Sequence, residues 1–120
     1  MANYDLEDRT LAFARAVRSF VKQIKTSIVN DSDCRQLIKA SGSVGANYIE
    51  ANESFSKKDF IFRAKISRKE AKESRFWLSC LESNIQAELE KERSNLFNEA
   101  TELMKIFGAI IRNSEGGSKG

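Results

Sequence analysis

The stretch from Lys57 to Glu82, KKDFIFRAKISRKEAKESRFWLSCLE, decides the fold. At ~100° per residue, Phe60, Ala64, Ser67, Ala71 and Leu78 fall on one stripe, the spacing of a helix that turns one side to a core. Ser56 followed by Asp59 is a capping-box signal that starts this helix at Lys57. Phe62, Ile66 and Trp77 lie a third of a turn or more from the first stripe. A lone four-helix bundle needs one apolar stripe per helix. The second stripe, with Glu70 and Glu73 interspersed, therefore marks a candidate subunit interface. The other reading is one wide stripe that packs two neighbours within a single bundle.

Working outward, Leu6, Phe13, Val17, Phe20 and Ile24 predict a first helix from about Asp5 to Thr26. Acidic Asp5, Glu7 and Asp8 suit its N-terminal end, and Lys22 and Lys25 its C-terminal end. The polar run Asn30, Asp31, Ser32, Asp33 reads as a break. After it, Cys34, Leu37, Ile38, Ser41, Val44, Gly45, Tyr48 and Ile49 line one side of a second helix that ends near Glu53. Ser83 with Gln86 forms a capping box for a fourth helix, whose seam of Leu89, Leu96, Ala100, Leu103, Phe107 and Ile110 runs to about Asn113. Residues 1–114 thus read as one all-α domain, an antiparallel up-down four-helix bundle, because short connections force neighbouring helices to reverse. Residues 115–120 read as a disordered tail.

Composition supports long helices. The 120 residues include no proline, and three of the six glycines fall in the last five positions. A chain of this length buries roughly two thirds of its unfolded surface in one core. No apolar run nears the ~18 residues of a membrane span, and the N-terminus has neither a basic nor an apolar region, so a cytoplasmic protein is expected. Cys34 and Cys80 share no metal or redox spacing and read as small buried residues.

The run Ser41, Gly42, Ser43, Val44, Gly45, Ala46 puts two glycines inside a helix, each costing about 1 kcal/mol against alanine. Close helix contact compensates for that cost. The expected partner is the row Ala64, Ser67, Ala71 and Ser74 on the third helix, with Ser41 and Gly45 opposite. A helix broken at Gly42 is the alternative.

Catalysis has little to work with. There is no histidine, which removes the commonest general base and the Glu-x-x-His pairs of di-iron bundles. Cys34 lies on the core side, away from the electropositive surroundings a nucleophilic thiolate needs. The carboxylates Glu50 and Glu53, with Asn47, and Glu70 with Glu73 would make only an all-oxygen metal site. Pairing with Arg63, Arg68 or Arg75 of a neighbour is the better use, so no metal and no cofactor are expected. The reading is a non-enzyme.

Charge is the remaining signal. The net charge is only +3, yet Lys57 to Arg75 is rich in basic residues while Glu82 to Glu102 is acidic. Lys58, Lys65, Lys69 and Lys72 share an arc of roughly 60° on the third helix, and Lys57, Arg68 and Arg75 extend its edge. Such a strip can follow a phosphate backbone. It can equally be a solvated face, since no aromatic platform is evident between the lysines.

The run Ser43-Val44-Gly45-Ala46-Asn47-Tyr48-Ile49-Glu50-Ala51, then Ser56 to Phe60, then Ala64 to Ser67 with Glu70-Ala71 and Glu73-Ser74, resembles the 23S ribosomal RNA intervening-sequence protein family. The order of elements fits from Leu6 to Ile111. The resemblance implies a left-handed four-helix bundle, a ring-like homopentamer and an RNA partner, with Asn47, Glu50, Ser67, Glu70 and Glu73 as the matching family positions. A similar branch comprises accessory proteins of diversity-generating retroelements, which bind a reverse transcriptase together with nucleic acid. The expectation is a homo-oligomeric, non-enzymatic nucleic-acid-binding module. The alternatives are a reverse-transcriptase accessory subunit and a purely structural protein–protein interaction module.

Overall fold

A computed structural model describes residues 2–117, which form four long helices and no strand. They are α1 (Ala2–Val21), α2 (Ile28–Asn52), α3 (Lys57–Leu81) and α4 (Glu90–Gly117), with a 3-10 turn at Ala87–Leu89 before the last. The helices enclose one core. Phe13, Val17 and Phe20 of α1, Leu37, Val44 and Tyr48 of α2, Leu78 and Leu81 of α3, and Leu103 and Phe107 of α4 are all nearly inaccessible. Tyr48 and Phe107 meet edge to face at 5.4 Å, the ring geometry that aromatic quadrupoles favour.

Side-chain pairs define the neighbours. Arg9 of α1 makes a two-pronged bond to Glu99 of α4 at 2.8 and 2.9 Å. The Ser67 hydroxyl of α3 donates to the Val44 carbonyl of α2 at 2.8 Å. Arg75 of α3 lies 4.7 Å over the Phe97 ring of α4. The result is an elongated molecule, 51 × 22 × 20 Å.

The helix boundaries correct the sequence reading in four places. Helix α2 starts at Ile28, so the polar run Asn30–Asp33 lies within its first two turns and is not a break. Ser27 is extended and its hydroxyl accepts the Asn30 N–H at 2.9 Å, a cap that the following Asp31 complements. Asn30 itself is buried, and its amide donates to the carbonyls of Lys25 and Asn84, tying together the connections at one end of the molecule.

Helix α1 ends at Val21, five residues before Thr26, and the chain tightens through Gln23 to Phe20 and Ile24 to Val21 backbone bonds. Gln86 does not complete a capping box with Ser83. Its side chain bridges to the α1–α2 connection, donating to the Gln23 carbonyl and accepting from the Lys25 N–H, so α4 begins only at Glu90. At the other end α4 continues through Glu115, which lies 3.4 Å from Lys65, to Gly117. Residues 118–120 of the expected tail lie outside the described residues.

The glycine run also behaves differently from expectation. Helix α2 is unbroken through Gly42. Gly45 approaches α1 and not α3: a Cβ built on it would sit 2.8 Å from Thr10 Oγ1 and 3.1 Å from Thr10 Cβ. The small residues of α3 still serve close packing, since Ala64, Ser67, Ala71 and Ser74 are fully buried. Ser67 meets the α2 backbone at Val44, and the Ser74 hydroxyl donates to the Glu70 carbonyl of its own helix.

Candidate nucleic-acid interface

Helix α3 has a buried side and an outward one because Ser56 fixes where it starts, its hydroxyl accepting the Asp59 N–H at 3.1 Å. From that start, Lys58, Lys65, Lys69 and Lys72 all come out exposed. Phe62 and Phe76, each 58% exposed, fall on the same side. By helical geometry these six residues lie within ~80° and span ~27 Å of helix.

The outward side is therefore a lysine row in which Phe62 and Phe76 bracket Lys65, Lys69 and Lys72. Phe76 went unnoticed in the sequence. The signal was present, because Phe76 follows Phe62 by 14 residues and so returns to almost the same side of the helix.

The lysines are only loosely held. Lys65 reaches Glu115 at 3.4 Å, and Lys69 reaches Glu70 at 3.8 Å and Glu73 at 3.9 Å. Exposed pairs of this kind contribute about 0–1 kcal/mol. A phosphate can displace them at little cost.

The outlying basic residues separate. Lys57 and Arg68 are exposed, but Arg68 lies roughly 80° round the helix from Lys58. Arg75 leaves the strip altogether. Its guanidinium stacks on Phe97, donates from Nη1 to the Met104 sulfur at 3.2 Å, and leaves a buried Nε without a partner.

The five residues expected at a subunit interface do not form one apolar patch. Phe62 and Glu73 are exposed, whereas Ile66 and Glu70 are half-buried. Trp77 packs against this chain's own core and meets Phe76 edge to face at 4.9 Å. Within the chain Glu70 and Glu73 pair with Lys69, and Arg63 donates to Asn47 Oδ1 at 3.1 Å. Burial holds the Glu70 carboxyl above its ordinary range, and the neighbouring Glu73 charge adds to the shift.

Of the residues read as packing groups, Ser41, Ala64, Ser67 and Ala71 are buried, Asn47 also donates to the Ser43 carbonyl, and the Glu50 side chain is exposed. Cys34 is buried and Cys80 half-buried, and desolvation raises both thiols, away from nucleophilic use. Among the described residues, no group of three His, Cys, Asp or Glu side chains is placed to hold a metal ion, and no helix is long and apolar enough to cross a membrane.

Comparison with curated proteins gives no match. Among solved structures, a protein of unknown function from the S23 ribosomal protein family of Bacteroides thetaiotaomicron is similar, with a TM-score of 0.77 and 30% identity. The likeness covers 93% of this chain and 99% of that one. The model of the 23S rRNA-intervening sequence protein family matches residues 3–109, and with nine tenths of its length inside that match the chain belongs to this family.

Proposed function

We propose that the protein is a non-enzymatic, cytoplasmic, self-associating antiparallel four-helix bundle that binds single-stranded RNA along the outward side of α3. The observation that carries this reading is the pair of exposed rings, Phe62 and Phe76, bracketing Lys65, Lys69 and Lys72. Lysines engage phosphates without choosing a sequence, and exposed rings stack on unpaired bases of any identity. Together they suit a single strand better than a duplex, whose bases are already stacked. The antiparallel run is supported by contacts that descend one helix as they climb the next: Arg63 with Asn47 and Ser67 with Val44, and Arg75 with Met104 and Lys65 with Glu115. A ring of five copies is what the family resemblance adds.

The test is binding of a labelled single-stranded RNA at several salt concentrations. Engagement of Lys58, Lys65, Lys69 and Lys72 predicts that log affinity falls against log salt with a slope of about −0.7 per contact, near −3 in all. Reversing Lys65 and Lys69 to glutamate should flatten the slope and weaken unrelated RNAs alike. A salt-independent interaction, or a variant that loses assembly but keeps RNA affinity, would transfer the lysines to a protein contact.

A further inference from the structure

Two apolar features of the surface lie apart on the same chain. One is a groove of about 450 Å³ between α1 and α2. Its floor is made of small residues, Ala14, Gly42, Gly45 and Ala46, and its walls are Leu11 and Ile49, each 48% exposed. Arg15 and Arg18 line it as well, and the Arg18 guanidinium, which donates to the Ala14 carbonyl at 3.1 Å, lies 3.4 Å from where a Gly42 Cβ would be. The acidic group at the groove's end, Glu7, is already bonded to the Asn52 amide at 2.8 Å. The other feature is Phe55 in the α2–α3 connection, fully exposed at 102%. Around it are Glu50, Glu53 and Asp59, together with Arg63, whose guanidinium is held by Asn47.

We infer that Phe55 of one copy seats in the α1/α2 groove of a second copy. The hole is apolar, floored by residues without bulk, and carries positive charge in its lining. The knob is an aromatic ring collared by carboxylates. Opposite charges around an apolar plug set both the register and the partner. Because Phe55 is fully exposed, it does not fill its own chain's groove.

A knob and a hole on different parts of one surface make a head-to-tail contact, which closes into a ring when the rotation permits. This inference rests on the self-association in the proposed function and supplies its surface. On the hole side, between α1 and α2, that surface is apart from the lysine row, while on the knob side Phe62 lines the same recess as Phe55.

The experiment uses light scattering on the full chain with two variants. The unmodified protein should give a mass several times 13.6 kDa. Phe55→Asp removes the knob and Ala46→Trp blocks the hole. Both positions are exposed, so each variant should keep the parent's helical circular-dichroism signal while running as a monomer. Mixed in equal amounts, the two should form a dimer and stop, because the pair retains one intact knob and one intact hole.

A parental monomer would overturn both self-association and this inference. A parental oligomer whose mass is unchanged by Phe55→Asp, or two monomeric variants that fail to pair, would overturn this inference alone. Ala46→Trp, in the α1/α2 groove, should also keep the salt slope for RNA.

Discussion

Gly45 of α2 lies so close to Thr10 of α1 that a side chain on it would begin 2.8 Å from the Thr10 hydroxyl. That hydroxyl cannot swing away freely, since it donates to the Glu7 carbonyl at 2.9 Å. Gly45→Ala gains about 1 kcal/mol of helix propensity and incurs roughly 1 to 3 kcal/mol of overpacking. The balance predicts a net loss, read as a lower urea midpoint at unchanged slope. The loss should shrink in a Thr10→Ala background, because the hydroxyl that clashes is gone. Stabilisation by Gly45→Ala alone would mean the helices separate at no cost.

Arg75 illustrates how a basic residue can be structural. Replacing it with methionine keeps the apolar stem between Phe97 and Met104 and removes the buried Nε that has no partner. The expected change in stability is within about 1 kcal/mol of zero. RNA affinity and its salt slope should not move. A flattened slope would return Arg75 to the phosphate contacts.

What the sequence made legible follows the physics of local signals. Ser56 and its helix could be read because the cap and the apolar period sit side by side in the chain. The starts of α2 and α4 could not, because Asn30 and Gln86 spend their amides on carbonyls of other segments, Asn84 and Gln23. The glycine at 45 announced a close approach without saying to which helix, since α1 and α3 both flank α2. Charge was similarly ambiguous. Arg75 and Lys72 are both basic residues of one helix, and only the aromatic ring of Phe97, 22 residues away in sequence, draws Arg75 inward. Phe76 is the opposite case, a residue whose outward direction followed from spacing alone.

Glu70 gives the protein a pH signature. Burial first, and the Glu73 charge second, raise its pKa in the folded state, so the native protein holds this proton more tightly than the unfolded chain. Its contribution is therefore fully present below the unfolded carboxylate value and is lost as pH rises through the raised one. Glu70→Gln removes that dependence. In denaturant melts, the difference between Glu70→Gln and the parent should shift in favour of the variant as pH rises from about 4 to 7. The opposite trend would mean that Lys69 outweighs burial at this site.

Trp77 is the sole tryptophan, and the exposed ring of Phe76 touches it edge to face at 4.9 Å. The pair is a built-in reporter for the outward side of α3. A base that stacks on Phe76 would disturb the neighbouring indole, so adding single-stranded RNA should change tryptophan emission with the same midpoint as binding. Stacking on an aromatic side chain contributes about 1 to 3 kcal/mol per base, which is roughly 5- to 150-fold in affinity. Phe76→Ala should lose that factor and the emission change together. Phe62→Ala should lose a similar factor but keep the emission change at saturation, because Phe62 lies about 21 Å along the helix from Phe76. A duplex of equal length should bind through the lysines alone and leave the emission unaltered. If both alanine variants retain RNA affinity while the oligomer dissociates, the rings belong to a contact between copies, and the lysine row between them is its charged margin.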